Sequence, residues 1–332
     1  MIHIKKYYQT EQIACSPFYK YFADLKVGVL DIETTGLSPA SSKIILGGLI
    51  SITEDGLLFQ QFFAESLNDE AQLLEEYLSA INELDAVVTF NGRHFDIPYI
   101  KKRAVINRLP SEVINDMPFN LDLYLAIKDF SELKKVLPNL KQKTVENYFG
   151  LWQNREDEIS GAESVDLYYE YLVNRDSALK EKILLHNSDD LLQLYRLIPI
   201  LSKTNIHKAM FSLGFPCNTL SIHTIALEKN TLRILGTQRK CPIDFASFSS
   251  PETPYGLFFD KSTRDFEVII PLIRTSGLAL IDLKAFKFDY SELKSLPDCE
   301  KDYIIVENNG VVNHMIVNSF IKLFLNHVCS LR

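Results

Sequence analysis

Residues 26–39 read KVGVLDIETTGLSP, an apolar strand that ends in acid. Val27, Val29 and Leu30 have the character of a buried strand, and Asp31 and Glu33 follow with only Ile32 between them. Alternation along a strand sends residues i and i+2 to one face, so the two carboxylates point the same way, a few ångströms apart. Like charges that close repel unless a proton or a cation lies between them.

The chain has 332 residues, enough for one large or two ordinary domains. Hydrophobic residues make up 46% and charged residues 23%, which is ordinary for a globular protein. No apolar run approaches the ~20 residues of a membrane span, so no membrane partner is expected. The opening MIHIKKYYQTEQ lacks an apolar signal core and a small-residue cleavage site. Cys15, Cys217, Cys241, Cys299 and Cys329 are odd in number and form no CxxC pair. They read as reduced thiols in a cytoplasmic protein. The net charge of −8 excludes a broadly basic surface that coats nucleic acid. Any such contact has to be local, or assisted by metal at a chain end.

Working outward from the acidic strand, the first ~200 residues alternate strand and helix patterns, the mark of an α/β unit. KIILGGLISIT and LLFQQFFAES flank the turn at Glu54, Asp55 and Gly56, which predicts a hairpin. NDEAQLLEEYLSAINEL spaces its apolar residues as a helix, with Asn68 as the expected cap. DAVVTFNG reads as a strand, and DIPYIKKRAVIN as a helix with Pro98 in its first turn. NLDLYLAIK reads as a short strand or a helix start, and 131–203 reads as helical up to a break or kink at Pro199. Short alternating runs follow, such as TLRILG, YGLFFD, DFEVIIPLI, LALIDL and DYIIVENN, and then a helix capped by Asn313. The predicted domains are therefore 1–205, an α/β unit, and 206–332, a β-rich accessory unit.

Three acidic stations stand out in the first domain. Asp31 and Glu33 form the first; Asp96, in VVTFNGRHFDIPY at a strand-to-helix junction, is the second. The third is LLHNSDDLLQL, where His186 and Asp190 lie four apart and share a helix face. Two Mg²⁺ ions about 3.5–4 Å apart suit such a set, because magnesium takes hard oxygen ligands and keeps several waters. On this reading Asp31 bridges both ions, and Glu33, Asp96 and Asp190 complete the cage. His186, neutral near pH 7, takes the proton from the attacking water. Thr34 is a turn residue or touches the terminal nucleotide. Asn91 and Phe95 are turn and core, or hold the penultimate nucleotide by hydrogen bond and stacking.

LDIETTGL, NGRHFDIPYI and HNSDDLLQL, in this order and spacing, resemble the DEDD 3′→5′ exonucleases of the ribonuclease-H-like fold. LDLYLAIK and TVENYFGLWQNREDEISGAESVDLYYEYL resemble in particular the YprB-like members, and the likeness covers roughly residues 25–200. It implies a ribonuclease-H-like mixed sheet flanked by helices, and Mg²⁺ or Mn²⁺ as a pair of ions. It also implies release of 5′-mononucleotides from a nucleic-acid end, with ligation by Asp31, Glu33, Asp96 and Asp190 and His186 as general base. DNA or RNA is the expected partner, as a single-stranded 3′ end. One departure is visible: the histidine branch of the family spaces His and Asp five apart and the tyrosine branch spaces Tyr and Asp four apart. Here a histidine stands at the tyrosine spacing if Asp190 is the ligand, whereas Asp189 would give a spacing of three.

Each feature also has a plainer reading. Asp31 and Glu33 suit an exposed strand end, Asp96 a helix cap, and Asp190 a solvated helix residue. Asp122 is either a cap or a further acid near the cleft. Lys101, Lys102 and Arg103, and Lys134, Lys135, Lys141 and Lys143, are solvated faces or phosphate contacts. The aromatics from Phe245 to Tyr290 are a small-sheet core or a stacking surface. Two other functions compete: a catalytically silent nucleic-acid-binding or interaction protein, and a haloacid-dehalogenase-type phosphatase, whose Asp-x-Asp-x-Thr motif DIETT mimics.

Overall fold

The computed structural model describes residues 1–9, 13, 15–151, 156 and 159–331. Residues 10–12 of the opening stretch, and 152–155 and 157–158 of the stretch that resembles the YprB-like group, lie outside the described residues. The chain divides into two compact units, Met1–Thr204 and Asn205–Arg332. Among the described residues no helix is long and apolar enough to cross a membrane.

The first unit runs β1 (Ile2–Tyr8), α1 (Ser16–Phe22), β2 (Val27–Thr34), β3 (Ile44–Thr53), β4 (Gly56–Phe63), α2 (Glu70–Asn82), β5 (Ala86–Thr89) and α3 (Asp96–Ile106). It continues with α4 (Ser111–Asn115), β6 (Phe119–Asp122), α5 (Leu123–Phe130), α6 (Leu133–Val136), α7 (Gln142–Tyr148), α8 (Gly161–Asn174) and α9 (Ser177–Leu197). Its strands form one mixed sheet in the order β1-β4-β3-β2-β5-β6. The first four neighbours pair antiparallel, and β2, β5 and β6 pair parallel. This is the ribonuclease-H-like sheet, with β1 added at one edge. The expected hairpin is β3–β4, and its turn is fastened by Thr53 Oγ1 donating to the Gly56 carbonyl at 3.0 Å.

Strand β2 carries the site because its two sides are unequal. Against β3 it pairs along its whole length, from Gly28 opposite Ser51 to Thr34 opposite Ile44, with a bulge after Glu33. Against β5 it pairs only from Val27 to Val29. Alternation divides what extends beyond. Leu30 and Ile32 sink into a cluster with Leu73, Leu74, Tyr77, Tyr99 and Ile100 from α2 and α3. Asp31 and Glu33 point to the opposite face, which α8 and α9 cover with Tyr168, Tyr171 and Ile183. Gly47 and Gly48 of β3 serve one face each. A methyl at Gly47 would run into the Tyr77 ring, and one at Gly48 would run into Asn187 and Leu191 of α9.

A buried ion pair ties the helical layer to the sheet. Glu70 on α2 accepts from Ile44 N on β3 at 2.9 Å, from Arg103 Nε on α3 at 2.7 Å, and from Arg103 Nη2. Arg103, only 5% exposed, is therefore not a phosphate contact, while Lys101 and Lys102 beside it are exposed. Two local expectations are corrected, at Asn68 and at residues 131–148, and the break expected at Pro199 is found. Ser66, not Asn68, caps the helix region, through a capping box with Asp69 around a 3-10 turn at Leu67–Asp69. Residues 131–148 hold two short helices, because Pro138 forces Leu137 out of helical geometry (φ −89°, ψ 144°). Helix α9 ends at Leu197 and passes into a 3-10 segment, Ile198–Lys203, which contains Pro199.

The second unit contains α10 (Ile206–Leu213), β7 (Pro216–Cys217), β8 (Leu220–Leu227), β9 (Thr231–Gln238), β10 (Phe245–Ser247), β11 (Gly256–Phe259), β12 (Asp265–Pro271), β13 (Ile273–Thr275) and β14 (Leu278–Asp282). It closes with α11 (Ser291–Lys294), β15 (Cys299–Glu300), β16 (Tyr303–Asn308), β17 (Val311–Val312) and α12 (His314–Ser330). One antiparallel sheet has the order β10-β11-β12-β9-β8-β7; the other runs β13-β14-β16-β15, with β17 beside β16. Asn313 caps α12 by accepting from Ile316 N at 3.2 Å. Tyr255, Phe286 and Phe288 pack around Phe320 and Phe324 of α12, so these aromatics are core; Phe245 and Phe248 stay exposed.

Removing one partner of the Glu70–Arg103 pair strands a buried charge, which costs about 3–5 kcal/mol. Arg103→Met is expected to lower the unfolding free energy by that amount in a urea titration, and Lys102→Met by less than about 0.5 kcal/mol.

Candidate metal centre

The acids come from three elements, β2 itself for Asp31 and Glu33, α3 for Asp96 and α9 for Asp190. Asp31, half-buried, receives a hydrogen bond on Oδ2 from Asn187 Nδ2 of α9 at 2.8 Å. Glu33, 7% exposed, receives one on Oε2 from Ser164 Oγ of α8 at 2.9 Å. Asp96 opens α3, and its carboxylate accepts from its own amide and from the amide of Ile32, which lies beyond the last pair with β5. His186 on α9, 3% exposed, holds Nε2 at 3.5 Å from Glu33 Oε1 and 3.7 Å from Asp190 Oδ2.

The charges of these acids act on one another. Burial first, and then the charges of Asp190, Asp96 and Glu33, hold the Asp31 carboxyl well above the usual carboxylate range, with the Asn187 hydrogen bond opposing. Burial, joined by the charges of Asp122 and Glu33, raises Asp96 to about 7 against its two amide hydrogen bonds. Tyr77, whose hydroxyl donates to the Asp31 carbonyl at 3.1 Å and the Gly48 carbonyl at 2.8 Å, is also raised, by burial and then by Asp31 and Asp96.

The neighbouring acids are occupied otherwise. Asp122, which the sequence leaves as cap or cleft acid, caps α5 and also grips the turn before α3: its carboxylate accepts from Asn91 N at 2.9 Å, Arg93 N at 3.0 Å and Leu125 N at 3.3 Å. Asp189 accepts from Glu156 N at 2.6 Å, whereas Asp190 lies with Glu33 and His186. Of the residues expected at the substrate, Thr34 turns its hydroxyl to the Gly36 carbonyl at 2.9 Å and is 9% exposed. Asn91 has left-handed backbone geometry (φ 63°), and Phe95 packs on the core beside Tyr99. Three further residues escape a motif reading. Asn187 and Ser164 hold the carboxylates, and Leu37, 86% exposed, stands on the turn beyond Glu33. A polar residue at a core position of an amphipathic helix is the signal for the first two.

Glu33, His186 and Asp190 offer ligand atoms within 4.8 Å of one another, and the charges of Asp190 and Glu33 act on Asp31 beside them. A divalent cation fits this donor set, because it supplies the positive charge that ionised neighbours need. Residues 29–202 match the RNase H superfamily. The chain belongs to that superfamily. The chain is 29% identical over 178 residues, 52% of its length, to the uncharacterized protein YprB of Bacillus subtilis, of which it covers 41%. DNA polymerase 1 of Saccharolobus solfataricus is 22% identical over 317 residues, 87% of this chain and 34% of the polymerase. The family B DNA polymerase of Pyrobaculum calidifontis aligns in structure with 57% of this chain and 26% of its own, at TM-score 0.43 and 21% identity. The RNase H sheet, in which β2 pairs antiparallel with β3, removes the phosphatase alternative.

A carboxyl whose folded pKa lies above its unfolded value stabilises the fold at low pH, and that contribution is lost as pH rises through the folded pKa. For Asp96 the window runs from about 4, its ordinary value, to about 7. Metal-free protein is therefore expected to melt at falling temperature between about pH 4 and 7. Asp96→Asn should flatten that slope, and Mn²⁺ should raise the melting temperature more at the upper end than at the lower. A metal-free melting temperature that climbs through this window would contradict the charge crowding.

Proposed function

We propose that the first unit is a metal-dependent 3′→5′ exonuclease that hydrolyses phosphodiester bonds at nucleic-acid ends. The observation that carries this reading is the cluster of Glu33, His186 and Asp190, together with the mutual charge effects of Asp31, Asp96 and these acids. Membership of the RNase H superfamily supports a nuclease, and the polymerase relative supports nucleic acid as substrate. The DEDD motif order supports the 3′→5′ polarity and a pair of ions, with Mg²⁺ or Mn²⁺ as the fitting class.

When bound, the ions activate a water for attack and neutralise the leaving 3′-oxygen. Asp31, Glu33, Asp96 and Asp190 would hold them. The water oxygen bonds to phosphorus as the bond from phosphorus to the 3′-oxygen breaks, and the water's proton passes to His186 Nε2. A 5′-mononucleotide leaves, and the departing 3′-oxygen takes a proton from solvent to become the free 3′-hydroxyl of the shortened strand. Leu37 presents an exposed apolar face for the terminal base. Thr34, Asn91 and Phe95 shape the turns that border it, and the half-exposed ring of Phe95 offers a stacking edge.

Single-stranded DNA and RNA, labelled at the 3′ or the 5′ end, test the reading with Mg²⁺ and with Mn²⁺. The expected outcome is stepwise shortening from the 3′ end. Asp31→Asn and Asp190→Asn should give no cleavage above background, and His186→Ala should slow kcat by roughly 10²–10⁴-fold. Leu37→Ala should raise KM by about tenfold with kcat little changed. Absence of cleavage on every substrate would leave a silent nucleic-acid-binding or interaction protein as the better account.

A further inference from the structure

We propose that Asn187, seated on Gly48 and gripped by Gln61, is the positioning residue that fixes Asp31 and the rotation of α9 for cation binding. The inference rests on the nuclease reading above for its ligand, a divalent cation, and on separate geometry for its content. Asn187 is fully buried and Gln61 on β4 is 2% exposed. Asn187 Nδ2 donates to Asp31 Oδ2 at 2.8 Å, and its Oδ1 accepts from Gln61 Nε2 at 3.0 Å. The second hydrogen of Gln61 Nε2 goes to the Leu184 carbonyl on α9 at 2.8 Å.

The direction of this relay is forced from both ends. A carboxylate and a backbone carbonyl only accept. Asn187 must therefore turn its NH₂ toward Asp31, and Gln61 must turn its NH₂ toward α9, which leaves one amide orientation for each. Burying two primary amides is costly unless their groups are paired, and an apolar pair would fill the same space at less cost. The relay returns something a leucine pair would not. Gln61 holds α9 at two points, Leu184 and Asn187, so the helix cannot roll on the sheet. His186 and Asp190 share that helix, at one residue before and three after Asn187. One device thus orients the Asp31 carboxylate and aims the two α9 groups at Glu33. Gly48 is the seat, since any side chain there would lift Asn187 away from β3.

Groups that orient ligands in this way are worth about 10–100-fold in metal affinity when removed. The test uses the full chain and Mn²⁺ alone as the probe, with binding followed by electron paramagnetic resonance and melting temperature measured in chelator. Asn187→Leu is expected to weaken Mn²⁺ binding about 10–100-fold, with a metal-free melting temperature within a few degrees of the parent. Gln61→Leu and Gly48→Ala should weaken Mn²⁺ in the same direction while every ligand stays in place, and they carry the test if Asn187→Leu does not fold. High Mn²⁺ should restore kcat in all three, with KM for the nucleic acid unmoved. Folded variants that melt lower yet bind Mn²⁺ as the parent does would make the relay a packing feature and overturn the proposal. Failure of the parent chain itself to bind Mn²⁺ would instead remove the cation reading, and the proposal with it.

Discussion

Repulsion among carboxylates at the free end of β2 is the constraint around which the first unit is built. Two unit charges about 4 Å apart repel by about 4 kcal/mol at an effective dielectric of 20. Asp31 is raised first by burial and then by the charges of three acids, Asp190, Asp96 and Glu33. Nothing flexible holds groups like these together. Each is delivered by a stiff element: a central strand for Asp31 and Glu33, a helix start for Asp96, a long helix for Asp190. The Glu70–Arg103 pair then ties α2 and α3 to β3, and the Asp122 carboxylate fastens the turn before α3.

The way other buried acids are satisfied brings the site into relief. Glu70 has a guanidinium, a backbone amide and an asparagine amide. Asp122 has backbone amides on both oxygens. Asp31, among the described residues, has one neutral side-chain donor on one oxygen. That contrast, rather than acidity alone, sets Asp31 apart from the acids that the fold itself satisfies.

Sequence carried the first half of this picture well. Strand alternation put Asp31 and Glu33 on one face, the four-residue spacing put His186 with Asp190, and Asn313 was legible as a cap because its partner lies three residues on. Contacts of short range and fixed period are readable in this way. The rest depended on distant partners. Asp189 and Asp190 differ by about 100° of helix rotation, and only the packing of α9 decides which one faces Glu33. Arg103 stands in a run with two exposed lysines, and its inward turn depends on Glu70, thirty-three residues earlier. Strand β1 gives no alternation because Lys5 and Lys6 fall together on an edge, where a strand needs one neighbour only. Gln61 and Asn187 were visible as polar letters in apolar contexts, but their pairing spans 126 residues.

The early end of the β5 pairing gives the first unit an edge where edges do not normally occur. Exposed rims of sheets are hazards, since their vacant amides recruit foreign strands. Here the vacancy lies in mid-sheet, walled by helices and too short for a strand to enter. Its amides are consequently free to serve anions, as the Ile32 amide serves Asp96. Lengthening β5 by even two paired residues would consume that amide and close the cleft from beneath, with every acidic side chain still in the sequence.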